Sequence, residues 1–182
     1  MLLTIISMII VALIVVADQV SKILVVANIP LRSSVEVIPN IFRFTYIQND
    51  GAAFGMLDDH RWVFMSFSTI AIIGICVYLF AFRPKNRYLQ ITLAMLAGGG
   101  IGNMIDRILL GYVIDFIDVR LIHFAIFNVA DSFITVSAFM LMGYLILDTV
   151  REFKEEKAKA QKAAESDTTT QETELQDDGT AE

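Results

Sequence analysis

Two aspartates draw attention because each lies among apolar residues, where a carboxylate is costly. Asp115 sits in "YVIDFI", and no basic residue is closer to it along the chain than Arg120. Asp131 sits in "FNVADSFIT", three residues after Asn128, near the start of a long apolar run. A lone carboxylate there needs a hydrogen-bonding partner. Two carboxylates in contact would instead share one proton, because like charges at that distance do not both ionise.

Such a pair can hydrolyse a peptide bond without a metal or a nucleophilic side chain. One carboxylate takes a proton from water as the water attacks the peptide carbonyl, and the protonated partner donates to the carbonyl oxygen. The same two residues also suit a proton relay, an ion-binding pair or a purely structural hydrogen-bond network. The residues alone leave these alternatives open.

Other catalytic classes lack the residues that they need. His60 and His123 are the only histidines and neither pairs with Cys76, the single cysteine, so no zinc site is predicted. A matched Ser and His pair is missing as well. Cys76 lies in an apolar run, has no partner for an internal disulfide and is predicted to be a buried, inert thiol. We expect no metal and no cofactor.

Further polar residues stand at helical spacing near the two aspartates. Asp18 and Lys22 are four apart, so on one helix they share a face and can pair, either at a helix end near the interface or in a functional cluster. Asn103 and Asp106 are three apart and also share a face. Arg107 follows Asp106 directly, and we predict that it pairs with this carboxylate and keeps it ionised.

Small residues accompany these polar groups. Gly98, Gly99, Gly100 and Gly102 weaken a helix, so their presence indicates close packing against a neighbour or the approach of a ligand, and packing alone explains them as well. In "QNDGAAFG", Asn49 begins a turn-forming stretch whose small residues are equally compatible with a hairpin turn and with backbone approach: Ala52, Ala53 and Gly55.

The elements that must position these groups are membrane helices. With 182 residues, 55% hydrophobic content and a mean hydropathy of +0.61, the chain is too apolar for an ordinary soluble domain. The net charge of −6 comes largely from the acidic stretch that begins at Glu165, which has almost no large apolar residue to bury. We therefore predict a membrane domain over residues 1–150 and a charged, disordered tail over residues 151–182, with no nucleic-acid partner.

Four stretches are apolar enough to cross a bilayer: Leu2 to Ala17 or beyond Asp18, Trp62 to Phe82, Tyr88 to Ile105, and Phe124 to Leu147. Basic residues cluster in the link "RPKNR" and after the last span, so both termini are predicted to be cytoplasmic. Residues 18–61 and 106–123 are then outside. The first stretch lacks a basic start and runs into polar residues, which favours a permanent helix over a cleaved signal peptide.

A short strand is predicted on the outer side. In "NIFRFTYIQN", Ile41, Arg43, Thr45 and Ile47 alternate with Phe42, Phe44, Tyr46 and Gln48, which is the period-two pattern of a strand. Both sets contain apolar residues, as expected of a segment at the membrane interface.

Five motifs in order now resemble one family: "ADQVSK", "NDGAAFG", "GGGIGNMIDR", "VIDFI" and "FNVADS". Across about residues 5–150 the chain resembles the lipoprotein signal peptidases, or signal peptidase II. The resemblance implies a bacterial inner-membrane aspartyl endopeptidase with four transmembrane helices, a small extracytoplasmic β cradle and a short outer helix. It implies that prolipoprotein signal peptides are cut just before a diacylglyceryl-modified cysteine.

The resemblance also assigns roles to residues. It implies that Asp115 and Asp131 are catalytic, and it implies supporting or substrate-binding roles for Asn49, Asn103, Asp106, Arg107 and Asn128, with Asp18 and Lys22 as a structural cluster. The β cradle and outer helix would fall in about residues 35–58 and 107–122. Two positions depart from the family pattern: Asp50 stands where Thr is usual, and Gly100 where Ala is common.

These observations predict an all-α polytopic membrane protein of the bacterial cell membrane, with a dyad near the outer leaflet. Its expected partners are prolipoprotein substrates and membrane lipid, and a monomer is expected because one chain supplies a complete site. Asp118 is predicted to be an exposed residue of the outer helix. A small proton-coupled transporter or channel subunit is the main alternative, and a structural membrane scaffold is the second.

Overall fold

The structure, a computed structural model, describes residues 1–50, 61–122 and 124–177. Side chains are described for all of these except residues 61–65, 160 and 162–177. Most of the described residues lie in four α-helices: α1 is Leu2–Asn28, α2 is Arg61–Val77, α3 is Arg87–Leu109 and α4 is Val129–Asp177. A π-helical turn, Tyr78–Phe82, continues α2. Three strands complete the described residues: β1 is Ser34–Ile38, β2 is Phe42–Asn49 and β3 is Val113–Val119.

Three of the described helices are long and apolar enough to cross a membrane: Leu2–Asn28, Arg87–Leu109 and Val129–Lys159. The predicted span Trp62 to Phe82 is helical as well, and its apolar segment, Ser66–Phe82, is shorter than the other three. The prediction of a mostly helical membrane protein with a small sheet is therefore confirmed.

The helix ends differ from the predicted ones in ways that matter for the polar residues. Helix α1 continues past Asp18, which is the longer of the two predicted ends, and α3 extends beyond the predicted span to Leu109, so both carboxylates lie on helices. Helix α4 begins at Val129 rather than at Phe124. Its late start has a local cause, because the side chain of Asn128 accepts a hydrogen bond from the backbone N–H of Asp131 and caps the helix.

The strands form one antiparallel sheet in the order β1-β2-β3, and β2 confirms the strand predicted from "NIFRFTYIQN". Strand β3 carries Asp115 and Asp118. Between the end of α3 and residue 122, the only helical turn is the three-residue 3-10 turn Arg120–Ile122. The prediction that Asp118 is an exposed residue of an outer helix is wrong, because this residue is buried on a strand and its carboxylate bonds to β2.

The sheet packs on the end of α1. Val25 of α1 and Ile29, just after α1, form a buried cluster with Tyr46 of β2 and with Ile114 and Phe116 of β3. Along its earlier turns α1 packs against α3, and a second cluster forms around Leu79, Leu93 and Ala94. The polar residues of α1 and α3 consequently face each other beneath β3.

The chain divides into two compact units, Met1–Leu141 and Met142–Glu182. In the second unit, α4 continues to Asp177, whereas the sequence predicts disorder there. Residues 152–165 are rich in Ala, Lys, Glu and Gln, all strong helix formers that need no packing partner to favour a helix. The Lys157 ammonium lies 5.6 Å from the ring centre of Phe153, one turn earlier.

Candidate active site

Lys22 is the cation at the centre of the buried polar residues, with 1% of its surface exposed. Its Nζ lies 2.8 Å from Asp18 Oδ2, 2.8 Å from Asp106 Oδ2 and 3.0 Å from Asn103 Oδ1. The predicted Asp18–Lys22 pair is therefore present, and it is buried between α1 and α3 rather than reaching the interface. Three acceptors match the three N–H bonds of the ammonium group.

Asp106 forms an ion pair with Lys22 of α1. Besides Lys22, the side chain of Gln19 donates to Asp106 Oδ1 at 2.9 Å, and the Ile114 N–H donates to Oδ2 at 3.1 Å. Asp106 thus joins α1 to β3 at the residue before Asp115. Arg107 interacts electrostatically with Asp131, Asp115 and Asp106. Its predicted pairing with Asp106 stays a prediction, and Lys22 is a further cation at this carboxylate.

Asp115 is almost fully enclosed, with 1% of its surface exposed. The amide of Asn49, at the end of β2, donates to Asp115 Oδ2 at 2.9 Å. The amide of Asn128 donates to Oδ1 at 2.7 Å. Each carboxylate oxygen therefore has an amide donor that fixes its orientation.

Asp131 is held in the first turn of α4 by a reciprocal cap. The Asp131 N–H donates to Asn128 Oδ1 at 2.9 Å, and the Asn128 N–H donates to Asp131 Oδ2 at 3.2 Å. This is a capping box built from Asn and Asp. The amide of Asn103 donates to the other oxygen, Asp131 Oδ1, at 2.7 Å.

Two side-chain amides connect the aspartates. Asn128 Nδ2, which bonds Asp115, also lies 3.0 Å from Asn103 Oδ1, while Asn103 Nδ2 bonds Asp131. Because Lys22 donates to the same Asn103 oxygen, the chain of bonds ends on the buried cation. The structure thus joins in one network most of the residues predicted from the sequence: Asp18, Lys22, Asn49, Asn103, Asp106, Asp115, Asn128 and Asp131.

Burial raises the pKa of Asp115 to about 7. The hydrogen bond from Asn49 lowers this pKa, the charge of Asp131 raises it, and the Asn128 bond and the Lys22 charge lower it again. Near neutral pH, Asp115 is therefore divided between its protonated and ionised forms. A carboxyl group in this state can donate a proton or accept one.

Glycines allow α3 to approach its neighbours closely enough for these bonds. A Cβ on Gly102 would lie 2.7 Å from Asp18 Oδ2, and one on Gly99 would lie 2.6 Å from the Ala130 carbonyl oxygen. Cβ atoms on Gly98 and Gly100 would meet Ile14 and Ile72. The glycine-rich stretch is explained by helix packing.

The family of the chain follows from comparison with known proteins. A sequence model described as signal peptidase (SPase) II matches residues 10–147, which is most of the chain. The chain belongs to the signal peptidase II family. It is therefore a peptidase of the aspartic, signal peptidase II type, and the resemblance inferred from the five motifs is confirmed.

Relatives and solved structures agree with this membership. Proteins named lipoprotein signal peptidase from Streptococcus pyogenes serotypes M6 and M1 are 44% and 45% identical over 131 residues, which cover 71% of this chain and 86% of each relative. A bacterial membrane enzyme structure at 2.3 Å resolution matches with a TM-score of 0.73 and 34% identity over 79% of this chain and 88% of that one. Another bacterial membrane enzyme structure, at 1.9 Å resolution, has a TM-score of 0.69 and 33% identity over 76% of this chain and 91% of that one.

Sequence reasoning missed several partners in this signal peptidase II site. Gln19 bonds Asp106, and the Ala130 N–H at the start of α4 donates to Asp18 Oδ1 at 2.9 Å. Arg43 and Thr45 both bond Asp118. The position of Gln19 between Asp18 and Lys22 could have indicated that it belongs to the polar cluster. The period-two pattern likewise puts Arg43 and Thr45 on one face of the strand, where they could share a partner. Five residues considered above lie outside the described residues: Ala52, Ala53, Gly55, His60 and His123.

Proposed function

We propose that this chain removes signal peptides from prolipoproteins by cutting just before the diacylglyceryl-modified cysteine, with Asp115 and Asp131 as the catalytic pair. The observation that carries the proposal is the amide bridge between these two carboxylates through Asn128 and Asn103, in a chain of the signal peptidase II family. The relatives at 44–45% identity are named for the same activity.

In the proposed mechanism the two carboxyl groups hold one proton between them. The ionised aspartate accepts a proton from a bound water as the water attacks the scissile carbonyl. The protonated aspartate donates to the carbonyl oxygen, and a tetrahedral diol forms. The roles then reverse: the carboxylate takes back a proton from the diol, the other carboxyl protonates the amine, and the C–N bond breaks. The titration of Asp115 near pH 7 suits this exchange.

Neighbouring residues would hold the pair in this geometry. Asn49, at the end of β2, donates to Asp115 and would also bind the substrate backbone, while Asn103 and Asn128 keep the two carboxylates oriented. The Lys22 ion pairs brace α1 against α3, and Arg107 adds positive charge near both aspartates. This charge balances the pair when one of its members is ionised.

We further propose four membrane spans with both termini in the cytoplasm and the dyad at the outer leaflet. The last turns of α3 and the first turn of α4 contribute to one site, so these helices approach it from the same side. The basic residues of the 83–87 link and those after the last span lie at the opposite helix ends. At the outer boundary, water reaches the dyad while the acyl chains of the substrate stay in lipid.

The test is cleavage of a purified diacylglyceryl-modified prolipoprotein in detergent with a chelator present. Wild type is expected to cut before the lipidated cysteine. Asp115→Asn and Asp131→Asn should each lose more than about a thousandfold in rate, because Asn cannot accept or donate the proton that its half of the pair must transfer. Asp148→Asn serves as the matched control, since this carboxylate lies outside the polar network.

Two results would overturn the proposal. Activity retained by either dyad variant would remove that residue from the catalytic pair. No cleavage by folded wild-type protein, together with proton flux across proteoliposomes, would favour the transporter alternative. Circular dichroism and thermal unfolding establish that each variant is folded.

A further inference from the structure

Strand β2 has one more residue than β3 in the stretch that leads to the site. Phe44 stands opposite Ile117, but the next paired residues are Ile47 and Asp115. Thr45 and Tyr46 therefore oppose Phe116 alone. This arrangement is a β-bulge, in which one strand accommodates an extra residue and the ladder is locally interrupted.

The bulge decides which face of the sheet Asn49 occupies. Residues directly opposite each other share a face, so Arg43 lies on the face of Asp118, and Asp115 lies on the other face of β3. Uninterrupted alternation along β2 would put Asn49 on the same face as Arg43. The extra residue reverses the alternation and brings Asn49 to the Asp115 face, where its amide bonds the carboxylate at 2.9 Å.

The buried carboxylate of Asp118 accepts hydrogen bonds from β2 at the bulge. Asp118 is 4% exposed, and its Oδ2 accepts hydrogen bonds from Arg43 Nε at 2.5 Å and from Thr45 Oγ1 at 2.8 Å. Thr45 is the first residue of the bulge, and its hydroxyl also lies 2.9 Å from Ser34 Oγ on β1. One carboxylate thus ties β3 to the bulge, and through Thr45 to β1.

The carboxylate is ionised at neutral pH. Burial raises the pKa of Asp118, but the hydrogen bonds from Arg43 and Thr45, the Arg43 charge and the Arg120 charge together bring it below its usual value. Charge-assisted hydrogen bonds of this kind are about twice as strong as neutral ones. A one-residue slip of β2 would leave a buried charge without its donors, which makes the bulged register the favoured one.

We propose that Asp118 is a positioning residue: its bonds to Arg43 and Thr45 hold the bulge of β2 and thereby aim Asn49 at Asp115. The claim that Asp118 holds the bulge and the position of Asn49 concerns the sheet alone. Its catalytic consequence rests on the proposed function, in which Asp115 is one of the catalytic pair.

The experiment is a double-mutant cycle between Asp118→Asn and Asn49→Ala with kcat measured against pH. Each single variant is expected to lower kcat by about tenfold to a hundredfold, as small misplacements of site groups do. Each should also move the alkaline limb of the profile to higher pH, because the Asn49 bond that lowers the pKa of Asp115 is lost. The double variant should lose no more than Asn49→Ala alone.

Matched variants separate positioning from general loss of structure. Thr45→Val removes one bond to Asp118 and keeps both charges, so it should show a smaller shift of the same sign. Glu36→Gln removes an exposed carboxylate opposite Arg43 on β1 and should leave the profile unchanged.

A readout independent of cleavage distinguishes failure of this inference from failure of the proposed function. Carbon-13 NMR titration of aspartate carboxyls in labelled protein should show the pKa of Asp115 raised in Asp118→Asn and in Asn49→Ala alike. An unchanged Asp115 titration in Asp118→Asn, or multiplicative losses of kcat in the double variant, would overturn the positioning role.

Discussion

Lys22 shows how a charged residue is stabilised inside this protein. Its ammonium contacts carboxylates from two helices and the Asn103 amide oxygen, so its desolvation is offset by three directed interactions. Asp18 is secured further by the Ala130 N–H at the start of α4, where a negative charge is favoured by the helix dipole. One side chain therefore links α1 to α3 and, through Asp18, to α4.

Removing this cation should be strongly destabilising. Lys22→Met leaves two buried carboxylates without their counter-ion, and we expect a loss of about 3–5 kcal/mol in the free energy of unfolding, measured by denaturation in detergent. Lys85→Met is the control, because this lysine is exposed and its loss should change stability by less than about 0.5 kcal/mol. Equal effects of the two substitutions would contradict the bracing role of Lys22.

The titration of Asp115 sets an expectation for the pH dependence of cleavage. Its folded pKa of about 7 lies above the ordinary value of 3.8, so the proton is held up to neutral pH and lost as the pH rises further. Above that pKa Asp115 is ionised and no longer supplies the proton that the general acid must donate. We expect kcat to fall by about tenfold for each pH unit above the pKa, measured with a fixed detergent and ionic strength. A constant kcat through this range would contradict the assignment.

Helix α3 is the element that brings the polar groups together. Its glycines let α1 and α4 approach its backbone, and one turn after Gly99 the same helix presents Asn103 to Asp131. The distances between helices and the hydrogen bonds of the site are therefore determined by the same contacts.

A methyl group at the contact between α3 and α4 should separate them. In Gly99→Ala the Cβ would meet the Ala130 carbonyl oxygen at 2.6 Å, and backbone atoms cannot move aside as a flexible side chain does. We expect a loss of about 1–3 kcal/mol in stability and a weaker site, measured by thermal unfolding and cleavage in parallel. Gly74→Ala, whose Cβ would meet nothing within 4 Å, should be neutral or stabilising. Similar losses in both variants would argue against the packing explanation.

At the scale of the whole molecule, the site residues all lie in the first compact unit, Met1–Leu141. Removal of residues 166–182 should therefore leave kcat and the unfolding temperature unchanged. The measurement is cleavage and thermal unfolding of the shortened chain beside the full-length protein. A fall in either quantity would assign the acidic segment a role in the peptidase unit.

The proposed membrane arrangement makes a separate prediction for the whole chain. A reporter protein that works only in the cytoplasm should be active when fused to either terminus. A cysteine introduced at Asn40, between β1 and β2, should react with a thiol reagent that does not cross the membrane. Cys76→Ala in the same chain removes the natural thiol and makes the labelling specific. Labelling of the Asn40 position only after the membrane is broken would reverse the orientation.

Much of the fold was predictable because its signals are local. Apolar runs predict the helices, and the alternation around Arg43 predicts β2. Errors arose where a residue acts over a distance: Asp118 looked like an exposed residue of a short helix, because its donors Arg43 and Thr45 stand more than 70 residues earlier. The start of α4 was placed too early because hydropathy ignores the cap that Asn128 provides.

The sequence by itself determined which polar residues stand among apolar ones and which segments are apolar enough to span a membrane. Residue type, helical spacing and hydropathy act within a few turns, so they are legible along the chain. Only the tertiary structure decided the partners. Asn49 reaches Asp115 across 66 residues, and Asp18 reaches Ala130 across 112. Such contacts depend on a bulge that changes the face of a strand, which has no local signature, and on glycines whose sequence indicates close packing without naming the partner helix.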